Sequence, residues 1–169
     1  MAKRESTSKY EIHVGTSFTR LIRHLPKAQT DFSLLVLKGH LLVEEEINDF
    51  LAVHWRNPAA VKKLRLTFFE RMSILRALLE PGRKDKAMWE AIDTLNSLRN
   101  ALAHHLASPK VQALVDDFNK RMVKFNKHTP EIEEPERFRT SIAMLCAALV
   151  GRREVFTEGR TPGSGLFIK

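Results

Sequence analysis

Hydrophobic residues recur three or four positions apart over most of the chain, and prolines or polar clusters separate the segments in which they do so. This spacing places apolar side chains on one face of an α-helix, whereas a half-buried strand requires alternation, of which the sequence has no sustained run. We therefore predict an all-α fold. Because the connections are short, about four to five main helices are expected to pack antiparallel as an up-and-down bundle.

Prolines and helix-capping residues set the predicted boundaries. Thr30 or Asp31 precedes a long apolar segment, and Asn57 precedes Pro58, an order typical of a helix start. The predicted helices cover residues 16–25, 31–55, 58–80, 85–105, 109–126 and 136–152.

Two of these helices carry apolar stripes that are predicted to face the core. On helix 31–55 the stripe consists of Leu34, Leu37, Leu41, Leu42 and Ile47, and on helix 85–105 of Met88, Ile92, Leu95, Leu98 and Leu102. Gly39 lies within the first helix, where a missing side chain predicts the close approach of another helix.

The length of 169 residues suits one domain, formed by residues 16–156 between a flexible arm (1–15) and a loose tail (157–169). Lysine and arginine outnumber aspartate and glutamate by 28 to 20, and this net charge of +8 favours an anionic partner such as nucleic acid. The single cysteine, Cys146, cannot form an internal disulfide, and no apolar run is long enough for a membrane span. We expect a cytoplasmic protein without membrane contact.

The segment NSLRNALAHHL, residues 96–106, places several polar side chains near the end of helix 85–105. Asn96, Asn100 and His104 project in neighbouring directions, because they are spaced by four residues. Arg99 and His104 are five apart and diverge by about 140° on an ideal helix, so one site can use both only if the helix loosens or a second chain contributes. The alternative is an ordinary helix end, where the helix dipole favours cations.

The string Arg99-Asn100-Ala101-Leu102-Ala103-His104 resembles the R-N-x-x-A-H signature of the HEPN superfamily. Upstream, LKGHLLVEEEIN and RLTFFERMSILRAL follow in the order seen in stand-alone bacterial HEPN proteins, and the resemblance covers residues 31–106. It implies a helical bundle that pairs as a two-fold homodimer. Many members are metal-independent endoribonucleases, often toxins of toxin–antitoxin or phage-defence systems, whereas others are non-catalytic regulators.

Carried over to this chain, the resemblance implies Arg99 and His104 as the catalytic pair and Asn100 as the residue that orients them. His105 is an alternative to His104, since a five-residue gap also satisfies the family's spacing. Two further residues are predicted to support the site: Asn96, through its position on the helix, and Glu45, as a carboxylate that pairs with Arg99. For Glu45 a solvated position is the simpler alternative.

Lys120, Arg121 and Lys124 form a basic series on helix 109–126, which is predicted to face RNA unless it is only a solvated surface. No metal or other cofactor is expected, because the histidines lack paired-ligand spacing. RNA cleavage would then use His104 for proton transfer and Arg99 for the charge on the phosphate. The expected partners are RNA, a second subunit and an antitoxin protein.

The alternative function is that of a catalytically inactive dimeric regulator that binds a protein or nucleic acid. Direct DNA recognition has less support, because the sequence has no clear helix-turn-helix signature.

Overall fold

The structure, a computed structural model, describes residues 15, 17–27, 31–79, 83–104, 109–126, 132–134 and 136–158, with the backbone alone at 62, 83–85 and 104. Within these residues the chain is helical and contains no strand, which confirms the all-α prediction. The helices are α1 (17–24), α2 (Phe32–Ala52), α3 (Pro58–Lys62), α4 (Phe68–Leu78), α5 (Arg83–His104), α6 (Pro109–Phe125) and α7 (Glu136–Glu158).

Local capping explains where the helices of the first half begin. The carboxylate of Asp31 accepts a hydrogen bond from the Leu34 amide at 3.0 Å, and α2 follows. Asn57 caps α3 in the same way, with a proline in its first turn. The single helix predicted for residues 58–80 is wrong, because Thr67 and Glu70 form a reciprocal capping box that starts α4 separately.

The other boundaries differ from prediction by smaller amounts. α2 ends at Ala52, three residues before the predicted end. α7 extends to Glu158, six residues past its predicted end and two residues into the predicted tail. The predicted arm at residues 1–14 and the remaining tail, 159–169, lie outside the described residues.

The helices do not alternate in direction throughout. α5 and α6 are antiparallel, because Thr94 hydrogen-bonds Asp117 while Glu90 pairs with Arg121. α2 and α7 are parallel, since contacts between them advance together along both helices: Phe32 with Phe138, Gly39 with Ile142, Glu46 with Arg153 and His54 with Phe156.

α6 and α7 also run in the same direction. Phe118 packs on Phe138, and the Phe125 ring lies 5.5 Å from the guanidinium of Arg152. The up-and-down prediction is therefore wrong for this pair. The connection at residues 126–135 is long enough to return along the bundle, so α7 need not reverse α6.

α2 is central to the packing, because it contacts α4, α5 and α7. Its buried face consists of Leu35, Val36, Gly39, His40, Val43, Glu46, Ile47, Phe50 and Leu51. The predicted stripe is wrong in three of its five positions: Leu34, Leu37 and Leu41 are 39%, 43% and 57% exposed. A helix with apolar residues on more than one face does not reveal from its own sequence which face the neighbours cover.

Gly39 allows α2 to approach α7 closely. A Cβ atom at this position would lie 2.6 Å from Cδ1 of Ile142, nearer than carbon atoms pack. The predicted close approach is confirmed. α7 provides a large part of the core, with Phe138, Ile142, Leu145 and Leu149 fully buried.

The predicted core face of α5 is confirmed, with Met88, Ile92, Leu95 and Leu98 fully buried and Leu102 7% exposed. α5 runs opposite to α2, so its C-terminal turns lie beside the N-terminal half of α2. The described residues of NSLRNALAHHL, 96–104, thereby lie level with the half of α2 that carries the exposed leucines. None of the described helices combines the length and the hydropathy that a membrane span requires.

Candidate functional site

The described part of the polar motif lies on the C-terminal third of α5. Asn96 is half-buried, whereas Arg99, Asn100 and Ala103 are exposed. Nη1 of Arg99 donates a hydrogen bond to Oδ1 of Asn100 at 3.0 Å. Two residues of the predicted site, Arg99 and Asn100, therefore contact each other directly.

Arg99 carries a positive charge that no described carboxylate neutralises, since its hydrogen bond goes to a neutral amide. The contrast with other arginines is clear: Arg71 pairs with Glu44, Arg76 with Asp93, and Arg153 with Glu46. A guanidinium that is exposed and without a carboxylate retains its donors for a phosphate or another oxyanion.

α5 remains helical through His104, its last described residue. The helix therefore does not loosen between Arg99 and His104, and the divergence of about 140° between their directions stands. The side chain of His104 and all of His105 lie outside the described part of the chain. Arg99 and His104 could share a site if the helix loosened or if a second chain contributed one of them. Since the helix is regular here, only the second arrangement is left.

His40 of α2 contacts the motif and was not among the residues predicted for the site. Its Nε2 lies 3.1 Å from Oδ1 of Asn96, and its ring packs on Phe68 with centroids 4.8 Å apart. The residue is only 5% exposed. A sequence signal existed, because His40 interrupts an apolar stretch four residues before Glu44.

Burial is the largest influence on His40 and lowers its pKa below the usual range. The charge of Arg99 lowers the pKa further, whereas the hydrogen bond to Asn96 and the charge of Glu44 act in the opposite direction. His40 is therefore neutral near pH 7, and Arg99 is close enough for the two groups to interact.

The acidic triplet on α2 divides among three environments. Glu44 pairs with Arg71 of α4, and its Oε2 lies 4.0 Å from Nδ1 of His40. Glu46 is buried against Arg153. Glu45, predicted to pair with Arg99, is exposed, and the observed partner of Arg99 is Asn100. Glu44, rather than Glu45, is thus the carboxylate next to His40.

The basic series on α6 is only partly available to a ligand. Lys120 and Lys124 are exposed, but Arg121 is bound to Asp117 at 2.7 Å and to Glu90 across the hairpin. The hydrogen bond from Arg121 also lowers the pKa of Asp117, which strengthens the pair. Arg121 therefore holds α5 to α6, and since Glu90 is nine residues before Arg99, it lies about 14 Å along α5 from the motif.

Other chemistries have little support in the described residues. Cys146 is fully buried, and burial raises the pKa of its thiol far above neutrality, so it is not a nucleophile. No three His, Cys, Asp or Glu side chains of the described ranges come together as metal ligands. The chemically useful groups here are the guanidinium of Arg99 and the two neighbouring amides.

Comparison of the chain with family models, with curated proteins and with solved structures gives no match. The functional interpretation therefore depends on the motif and on the geometry of α2 and α5.

Proposed function

We propose that this protein is a metal-independent endoribonuclease of the HEPN type, in which Arg99 and His104 act on the scissile phosphate. The observation that carries the proposal is the state of Arg99, which is exposed, bound to Asn100 and without a carboxylate partner among the described residues. The resemblance to the R-N-x-x-A-H signature implies this arginine as one member of the catalytic pair.

The site is completed by a second subunit. Arg99 of one chain and His104 of another can face one phosphate, although within a single straight helix they diverge by about 140°. The exposed Leu34, Leu37 and Leu41 support a pairing surface here, because they lie on the same half of α2 as His40, which contacts Asn96 of the motif. Apolar residues aligned on one helix face are typical of subunit contacts.

The proposed reaction transfers the phosphate within the RNA. A histidine accepts the proton of the 2′-hydroxyl, the 2′-oxygen attacks phosphorus, and the bond to the 5′-oxygen breaks as that oxygen takes a proton from water; the hydroxide that remains takes the proton from the histidine. Arg99 neutralises charge on the non-bridging oxygens. The products are a 2′,3′-cyclic phosphate and a 5′-hydroxyl, and His105 is the alternative if His104 is not the working histidine.

The biological role that fits this activity is that of a toxin or phage-defence nuclease, controlled by an antitoxin protein. The net charge of +8 supports RNA as the substrate, because basic proteins gain affinity from counterion release. Lys120 and Lys124 are the exposed members of the basic series that can contact RNA outside the site.

Purified protein is expected to cleave single-stranded RNA in excess EDTA and to leave 2′,3′-cyclic phosphate ends, detectable by mass spectrometry of the products. His104→Ala should abolish cleavage, and His105→Ala should retain it, which distinguishes the two candidate histidines. Fully active His104→Ala protein would contradict the assignment of His104. A wild-type protein that forms a stable dimer but leaves RNA intact would instead support the dimeric regulator.

A further inference from the structure

We propose that His40 is a positioning residue for the phosphate site: it binds the oxygen of Asn96 so that the amide NH2 group of Asn96 is presented, beside Arg99, to a phosphate oxygen. The inference rests on the proposed ribonuclease function and adds to it a residue from a different helix.

The hydrogen bond between His40 and Asn96 has a defined direction. The atom of Asn96 that meets Nε2 of His40 at 3.1 Å is the carbonyl oxygen Oδ1, which can only accept. Nε2 of His40 therefore carries the proton and donates. The other ring nitrogen, Nδ1, lies 4.0 Å from Glu44, beyond hydrogen-bond distance, and Arg71 already binds that carboxylate.

The NH2 group at the other end of the Asn96 amide has no acceptor among the described residues. With Oδ1 bound to His40, the NH2 group retains two donors, and no acceptor in the described ranges binds them. Asn96 is half-buried on α5, three residues before Arg99 and four before Asn100, so its side chain neighbours both on the helix surface. The NH2 group and the guanidinium thus form a pair of donors suited to an anion.

An asparagine amide has two different ends, a carbonyl oxygen that accepts and an NH2 group that donates. A free asparagine can rotate so that either its oxygen or its NH2 group faces a ligand, and the oxygen would repel a phosphate. His40 removes this freedom, because it is buried, packed on Phe68 and donates from a fixed position. Preorganised donors of this kind stabilise developing charge without a cost of reorganisation.

The protonation state of His40 is the direct structural test. Long-range nitrogen-15 NMR of the imidazole at pH 7.5 is expected to show a neutral ring with the proton on Nε2. A proton on Nδ1 would make Nε2 an acceptor, turn the Asn96 oxygen towards the phosphate and overturn the inference. This measurement does not depend on enzyme activity.

Kinetics test the functional consequence. His40→Leu should lower kcat/KM for RNA about 10- to 100-fold, the effect of losing a hydrogen bond to a charged group. His40→Gln, which retains a donor near the position of Nε2, should stay within about threefold of wild type. Asn96→Asp, which still accepts from His40 but has no donor, should lose as much activity as His40→Leu.

A double variant and a control separate positioning from general stability. If His40 acts through Asn96, the variant His40→Leu/Asn96→Ala should be no less active than Asn96→Ala alone. His54→Leu is the matched control, since His54 lies two residues beyond the end of α2, binds the Phe50 carbonyl at 2.9 Å and is remote from the motif. Its kcat/KM per folded molecule should equal that of wild type.

Two outcomes would overturn the inference in distinguishable ways. Wild-type kcat/KM in His40→Leu, or additive losses in the double variant, would overturn the role of His40 and leave the ribonuclease proposal intact. An inactive wild-type protein would overturn both.

Discussion

Arg99→Ala is expected to lower kcat/KM for RNA cleavage about a thousandfold, the usual consequence of removing a cation that stabilises charge in phosphoryl transfer. The fold should remain intact. Arg99 is exposed and its hydrogen bond goes only to Asn100, so the free energy of unfolding should change by no more than about 0.5 kcal/mol.

Arg23→Ala is the control for loss of charge, because Arg23 is also exposed but lies on α1. It should retain nearly all activity, with a small decrease in RNA affinity at low salt from the loss of general attraction. Equal losses in the two variants would mean that Arg99 contributes only net charge, and would contradict its role at the phosphate.

Arg153→Met is expected to destabilise the fold by about 3–5 kcal/mol at pH 7.5, because it leaves the carboxylate of Glu46 buried without a cation. Nη1 of Arg153 lies 2.9 Å from Glu46, which is 8% exposed, and this pair joins α2 to α7. Since domains of this size are stable by about 5–15 kcal/mol, urea unfolding followed by circular dichroism would detect the loss easily.

The loss should depend on pH. Burial already raises the pKa of Glu46, despite the charge of Arg153, and removing Arg153 would raise it further. A carboxyl with a raised pKa in the folded state is destabilising above its unfolded pKa of about 4.3, so the deficit should shrink as the pH falls from 7.5 towards 5.

Two further variants identify the cause of this destabilisation. Asp49→Ala removes an exposed partner of the same guanidinium, 3.0 Å away, and should cost less than about 1 kcal/mol. Arg153→Met combined with Glu46→Met should recover most of the stability, since the buried charge is then absent. A double variant as unstable as Arg153→Met would show that lost packing, rather than an unpaired charge, causes the effect.

The features that the sequence predicted well are those determined by neighbouring residues. Asp31 and Asn57 begin helices because their side chains bind amides three residues later, which depends only on local sequence. The separate start of α4 was not predicted, although it had the same kind of local signal: Thr67 and Glu70 have the spacing of a capping box.

The features that it predicted poorly depend on which helices come together. Leu37 and Leu41 have the spacing of a core stripe, yet α4, α5 and α7 cover a different face of α2. Within the acidic triplet, Glu44 rather than Glu45 lies beside His40, and the packing of α4 on α2 pairs it with Arg71. His40 contacts the motif because α5 packs against α2. Its position in an apolar stretch marked it as unusual, but no pattern within either helix predicts that Asn96 is its partner.

The sequence pattern also did not predict the direction of every helix. Short connections predict antiparallel neighbours, which holds for α5 and α6 but not for α6 and α7. The segment between α6 and α7 contains prolines at 130 and 135. They predicted a linker, but they did not predict the direction in which the next helix runs.

The most direct test of a site shared between two subunits is to mix an Arg99→Ala subunit with a His104→Ala subunit. Each variant alone should be almost inactive, and heterodimers formed by co-expression with two different tags would contain one complete site. Random pairing should restore about a quarter of the wild-type activity, because half of the dimers are mixed and one of their two sites is intact. Heterodimers that native mass spectrometry detects but that cleave no more RNA than the separate variants would contradict the account.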